Sequence, residues 1–192
     1  MMATGRGTVA GRSRVKPRIN RSLARWPILI AAVLAMAGCT AGGPPLPLAH
    51  DVDLSRYAGR WYIISEIPYF AERGKIDSSF DVSFPDGRVH DLYEGYKPGA
   101  AKPFKFLMTG YVVPNTGNAR WEESPIWPLH FAYLILYVDP DYRTALVGYP
   151  GRGYGWVLSR SRTMDDQTYQ SLLARLGADG YDTAKFRRVT QQ

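Results

Sequence analysis

Eight short runs rich in Tyr, Phe, Trp, Val and Ile, each stopped by Gly, Pro, Asp or Asn, fill the chain between residues 59 and 160. β-Branched and aromatic residues suit a pleated, half-buried surface, so runs of this length between turn residues predict strands rather than helices. We place them near 59–67, 78–84, 88–96, 103–113, 119–124, 130–138, 144–150 and 154–160. The stops carry turn chemistry: Pro85-Asp86-Gly87, Pro114-Asn115-Thr116-Gly117-Asn118, Pro140-Asp141 and Pro150-Gly151-Arg152-Gly153 supply fixed or positive φ. Connections this short make neighbouring strands antiparallel. The expected fold is therefore all-β: an eight-stranded antiparallel up-and-down β-barrel that removes its edges by closing, just wide enough for side chains or one small ligand.

Past residue 162 the period changes. Tyr169, Leu172, Leu173 and Leu176 recur at helical spacing, Thr163 can cap, Asp165 and Asp166 suit a first turn, and Gly177 or Gly180 can end the helix. A single C-terminal helix must bury its apolar stripe, and the outside of the barrel is available. Residues 183–189 suit a short final strand.

The front of the chain is different in kind. Seven of the 24 Lys and Arg residues precede Cys39 and no acid precedes Asp51, so the body after Cys39 is balanced at 17 basic against 17 acidic residues despite a net charge of +7. A nucleic-acid surface, which needs a basic face, is not expected. The basic stretch runs into the apolar segment 26–38, too short to span a bilayer comfortably, and then into Leu34-Ala35-Met36-Ala37-Gly38-Cys39. This order resembles a bacterial lipoprotein signal, which implies removal of residues 1–38 and lipidation of Cys39. Thr40 after the cysteine implies delivery to the outer membrane, with the protein facing the periplasm. Residues 39–51, with Gly42-Gly43-Pro44-Pro45-Leu46-Pro47, read as a tether, and 52–192 as the barrel, its helix and the final strand. Cys39 is the only cysteine, so no intramolecular disulfide is expected.

The strand that opens the barrel carries Gly59-Arg60-Trp61. About eighty residues later comes Val138-Asp139-Pro140-Asp141-Tyr142, and Trp156-Val157-Leu158-Ser159-Arg160 precedes the helix. In order and spacing these segments are similar to the three motifs of the lipocalins, over roughly residues 52 to 190, and with the lipobox the chain resembles the bacterial lipoprotein lipocalins, relatives of apolipoprotein D. Val138 and Pro140 depart from the family's Thr-Asp-Tyr turn. The resemblance implies that Trp61 plugs one end of the barrel with the Arg160 guanidinium across its ring, that Gly59 lets the chain enter the crowded base, and that Asp139 and Tyr142 shape a turn. The other end would be the only mouth.

Alternation along strands then nominates the interior. If Trp61 points inward, so should Ile63, Ser65 and Ile67. Phe104, Phe106, Met108 and Gly110 share the more apolar face of the fourth strand, Leu158 and Trp156 accompany Arg160, and Phe80, Tyr93, Tyr133 and Ile135 complete the set. The third strand is ambiguous, with Asp91 and Tyr93 on one face and His90, Leu92 and Glu94 on the other. The expected ligand contacts are Ile63, Phe80, Tyr93, Phe106, Met108, Tyr133, Ile135 and Trp156. Residues 67–70 and 123–129, with Trp127, suit an apolar lip at the mouth.

His50, His90 and His130 have no metal-ligand spacing, no serine sits in a nucleophile elbow, and the glycines of 151–155 lead into a strand rather than a helix N-terminus. No enzyme chemistry, cofactor or metal is therefore expected. Two functions stay open: a membrane-held binder of apolar small molecules, fatty acids or lysophospholipids, in lipid storage, transport or scavenging; or a structural or interaction lipoprotein with a filled barrel and no lipid ligand. The sequence leaves the oligomeric state open.

Overall fold

The computed structural model describes residues 43–126 and 128–192. The expected signal segment, Cys39 and Trp127 lie outside the described residues. A short helix α1 (Leu54–Tyr57) leads into β1 (Gly59–Ile67), followed by β2 (Ile76–Ser83), β3 (Val89–Tyr96), β4 (Phe104–Val112), β5 (Arg120–Ser124), β6 (Phe131–Val138), β7 (Thr144–Gly148) and β8 (Gly155–Ser159). The helix α2 (Asp166–Ala178) and the two-residue strand β9 (Arg187–Arg188) complete the chain. Every strand from β1 to β8 pairs antiparallel with its sequence neighbour, and β1 also pairs with β8, which closes the expected barrel.

The closure has two parts. Near one end β1 bonds to β2 from Gly59 to Tyr62, but farther along β9 takes that place beside Ser65 and Glu66. The C-terminal segment then staples the seam: Asp77 N–H donates to the Thr190 carbonyl, and the Gln191 amide donates to the carbonyls of Ile63 and Ser78. These bonds satisfy backbone groups that the separation of β1 from β2 would otherwise strand.

Two apolar clusters follow from the alternation. One fills the barrel, with Trp61, Ile63, Phe80, Tyr93, Trp121, Tyr133 and Ile135; the other lies between the barrel wall and α2, with Ile64, Leu134, Leu146, Tyr169, Leu172 and Leu176. The helix thus packs outside, as expected, although its cap is Asp165, which accepts from Thr168 N–H, and not Thr163. An acceptor one residue before the first helical turn is what the free N–H groups require, and Asp165 holds that position.

Strict alternation fails at register shifts in β1, β2 and β6, and the one in β1 bears on the expected interior. Ile63 opposes Leu158 while Ser65 opposes Val157, so β1 carries one extra residue in a bulge. Past it the faces exchange. Ser65 turns outward, accepting a hydrogen bond from the Tyr169 hydroxyl, and Ile67 joins the cluster beneath α2. The expectation that both point into the barrel is corrected, and Glu66, opposite Trp156, takes the inner face instead.

The segment read as a tether is also more ordered than its prolines suggest. Leu46 is buried against the outer cluster, Ala49 N–H donates to the Ile135 carbonyl, and Val52 N–H to the Gly117 carbonyl. Arg152, in the β7–β8 turn, donates to the Pro44 carbonyl at 2.7 Å.

Candidate functional site

One end of the barrel is shut by the residues that the motifs nominated. The Trp61 ring is fully buried, its indole N–H donates to the Tyr57 carbonyl, and the Arg160 guanidinium lies 3.7 Å from the ring centroid. Arg160 also donates to the carbonyls of Arg56, Tyr57, Ala58 and Arg60 at 2.7–3.0 Å, gathering the end of α1 and the start of β1 into one contact. Gly59 sits between them at φ +94°, which an L side chain rarely adopts. Despite Val138 and Pro140, the β6–β7 turn is fully bonded. Asp139 accepts from Asp141 N–H, Arg143 N–H and the Thr144 hydroxyl, and the Tyr142 hydroxyl accepts from Asp53 N–H.

Above this floor lies a narrow cavity of about 50 Å³. Of the residues named as ligand contacts, Phe80, Tyr93, Phe106, Met108, Tyr133 and Trp156 line it. Ile63 and Ile135 do not; both are completely buried in the barrel core beside it. Phe104, on the same strand face as Phe106, is 42% exposed at the rim. The lumen is narrow because rings reach across it: Tyr93 stacks on Phe106 at 5.0 Å, and Phe80 meets Tyr93 and Trp156 edge-on. At the opposite end from Trp61, Tyr69 packs against Phe106, Phe131 and Tyr154 and so narrows the mouth. Phe70 and Ile126 are more than 60% exposed there, on the two segments read as a lip.

Three acids in the lining have no counterpart in the expected set: Glu72, Asp91 and Glu123. The register resolves the ambiguity of β3. Asp91 opposes Met108, Tyr93 opposes Phe106, and Glu123 opposes Gly110, so all of these share the inner face. An added Cβ on Gly110 would lie 2.0 Å from the Glu122 carbonyl oxygen, so β4 and β5 approach closely only because this position is glycine. Glu72 comes from the β1–β2 turn and accepts from Tyr69 N–H at 2.8 Å and from the Trp156 indole at 3.2 Å. Burial is the main reason that all three carboxyls titrate above their ordinary range; repulsion by Glu72 adds to it at Asp91, and repulsion by Asp91 at Glu123, while hydrogen bonds and Lys75 oppose it at Glu72; Glu66, buried beside Glu72, is raised likewise. No cationic side chain lines the cavity among the described residues. Nothing in an alternating strand pattern separates an acid facing a cavity from one facing water, and Glu72 lies outside any strand.

A family model for the lipocalin-like domain matches residues 52–191. The chain is a lipocalin. It is 33% identical over 155 residues to temperature-induced lipocalin-1 of Arabidopsis thaliana, covering 76% of this chain and 83% of that relative. It is 30% identical over 171 residues to the outer membrane lipoprotein Blc of Escherichia coli K12, covering 86% and 96% respectively. Among solved structures, insecticyanin from the tobacco hornworm Manduca sexta superimposes with a TM-score of 0.60 at 17% identity, over 78% of this chain and 86% of that one. Lobster apocrustacyanin A1 gives 0.57 at 18% identity, over 77% and 90%. Lipocalins bind small hydrophobic ligands, and the aromatic cavity above Trp61 is an apolar pocket inside this barrel.

Proposed function

We propose that this lipocalin is a membrane-anchored carrier of lysophospholipids or fatty acids, a binding protein and not an enzyme, taking the acyl chain into the barrel and leaving the head group at the mouth. The observation that carries this reading is a lumen walled by Phe80, Tyr93, Phe106, Met108 and Trp156, shut at the Trp61 end and opening between loops with exposed Phe70 and Ile126. An apolar wall selects for shape and apolarity, and a single mouth sets the direction of entry. Anchoring through Cys39 at the outer membrane, facing the periplasm, agrees with the lipoprotein relative that is 30% identical. Arg152 holds Pro44 at the mouth end of the barrel, and four residues lie between Cys39 and Pro44, so the five steps reach at most about 18 Å. A lipid on Cys39 would thus keep the mouth beside the bilayer, where an apolar ligand exchanges without crossing water.

The narrow lumen favours one competing reading, in which the rings simply fill the barrel and the lipoprotein is structural. Native mass spectrometry of the chain from residue 41 onward, before and after delipidation and then with added lysophospholipid or fatty acid, separates the two. A removable adduct that returns at one-to-one stoichiometry is expected; a folded protein that stays bare with both lipids would sink the carrier reading. For the anchor, Cys39→Ser is expected to move the full chain from the membrane to the soluble fraction, and retention in the membrane without acylation would contradict it.

A further inference from the structure

The inner end of the cavity is chemically unlike its walls. Asp91 and Glu123 are 3% and 1% exposed, and Asp91 Oδ1 and Glu123 Oε1 have no hydrogen-bond partner. The Tyr57 and Tyr133 hydroxyls bond to each other at 2.9 Å, and neither of the two carboxyl oxygens is among their partners. Among the described residues no three His, Cys, Asp or Glu side chains converge as a metal ion would require. A buried acceptor without a donor is costly, and two of them facing one cavity that offers no cation are a demand for a donor from outside the chain.

We propose that Asp91 and Glu123 form a donor-binding subsite at the inner end of the cavity, selecting an apolar ligand that carries a protonated amine over one that carries a carboxylate. The inference rests on the lumen being the binding site and narrows the ligand class within it. An ammonium group supplies three donors and the opposite charge in a site screened from water, where a charge-assisted bond is strongest. A ligand carboxylate placed there could accept only from the carboxyls' own protons and would be repelled once either of them ionises.

The sign of the pH response follows. Burial holds the two carboxyls protonated in the empty cavity, so docking an ammonium displaces a proton and its affinity rises with pH, by up to about tenfold per unit for one proton released. Carboxylate binding runs the other way, because deprotonating the cluster repels it. The groups acting on the pair are Tyr57 from α1, Glu72 from the β1–β2 turn, Tyr133 from β6 and, from the outer face of β2, Asp81, which pairs with Arg60; Glu66 from β1 and Tyr93 from β3 lie on the Glu72 side. The other cations acting on this set are Lys75, through Glu66 and Glu72, and Arg160, through Tyr57.

Dodecylamine, dodecanoate and dodecanol, each below its micellar concentration, would be titrated calorimetrically into the chain from residue 41 onward at pH 6 and pH 8. Dodecylamine is expected to bind at least about tenfold tighter than dodecanoate at pH 8, with the gap widening from pH 6. The double variant Asp91→Asn/Glu123→Gln should keep dodecanol and lose the preference. Dodecanol binding with the amine no better than the carboxylate overturns the subsite alone, as does a preference that survives in the double variant. Failure of all three ligands to bind removes the lumen as a binding site and the subsite with it. Should the variant not fold, the wild-type titrations decide, since an amine affinity that is flat or falls from pH 6 to pH 8 overturns the proposal.

Discussion

Arg160→Ala is expected to lower the unfolding free energy by about 3–4 kcal/mol, a large part of the 5–15 kcal/mol typical of a domain. The guanidinium stacks on Trp61 and donates to four backbone carbonyls of residues 56–60, three of them shared by one nitrogen, Nη2, at the end of α1, and its Nε donates to the Tyr142 carbonyl at 3.3 Å. The stack contributes about 0.5–2 kcal/mol, and each hydrogen bond to a charged donor about 1.5–3 kcal/mol when its acceptor is left dry. The sum is less than the separate values suggest, because this edge of the barrel is near water and freed carbonyls at Arg56 and Arg60 can rehydrate. Urea unfolding checks the figure, and the melting temperature should fall by about 10 °C at this chain length. Arg160→Lys is expected to recover less than half of the loss, since an ammonium neither lies flat on the indole nor spans four acceptors. A lysine variant as stable as the wild type would show that the contact acts as a point charge only.

That the base of the barrel was legible through the resemblance to the lipocalin motifs, while the acids of the cavity were not legible at all, has a physical cause. Gly59, Trp61 and Arg160 are special residue types performing tasks that few others can: a positive φ, a large plug and a planar five-donor cation. The eight strands were legible for a similar reason, since Pro, Gly and Asn at the turns leave the chain little choice. The inner face was legible only as far as its period was unbroken. At β1 one extra residue, Ile64, sent Ser65 and Ile67 outward and Glu66 inward, and a bulge of two ordinary aliphatic residues carries no local signal. Asp91 shares the face of Tyr93, but a carboxyl beside a tyrosine reads equally well as a solvated face. Glu72 reaches the cavity from a turn, where alternation says nothing. The segment before Val52 was hidden in another way: its prolines exclude helix and central strand, yet they leave Leu46 free to bury itself and Arg152 free to hold Pro44.

Those hidden acids lead to the second large effect, on stability. The protein is expected to be most stable near pH 5 and to lose several kcal/mol by pH 8. Desolvation pushes Glu72 up to about 8 and Glu66 up to about 9, and holds Asp91 and Glu123 well above the usual carboxylate range. In the unfolded chain the same groups titrate near 4. Between these limits the folded state binds more protons than the unfolded one, so the unfolding free energy falls as pH rises, by up to about 1.4 kcal/mol per pH unit for each proton held. The fall starts above pH 4 and ends once pH passes the folded-state values. Asp53, Asp139 and Asp165 work in the opposite sense: their carboxylates accept hydrogen bonds in the fold, titrate below their ordinary value, and lose their stabilisation on acidification below about pH 4. The optimum lies between the two sets. Asp91→Asn/Glu123→Gln keeps shape and removes two of the raised groups, so it should flatten the slope and leave the protein more stable than wild type at pH 8, by about 2 kcal/mol or more. Urea unfolding at pH 5, 6.5 and 8 on both proteins reads this directly. A wild-type stability that is level from pH 5 to pH 8 would mean that water reaches Asp91 and Glu123 inside the barrel and that the lumen is wetter and wider than its aromatic walls indicate.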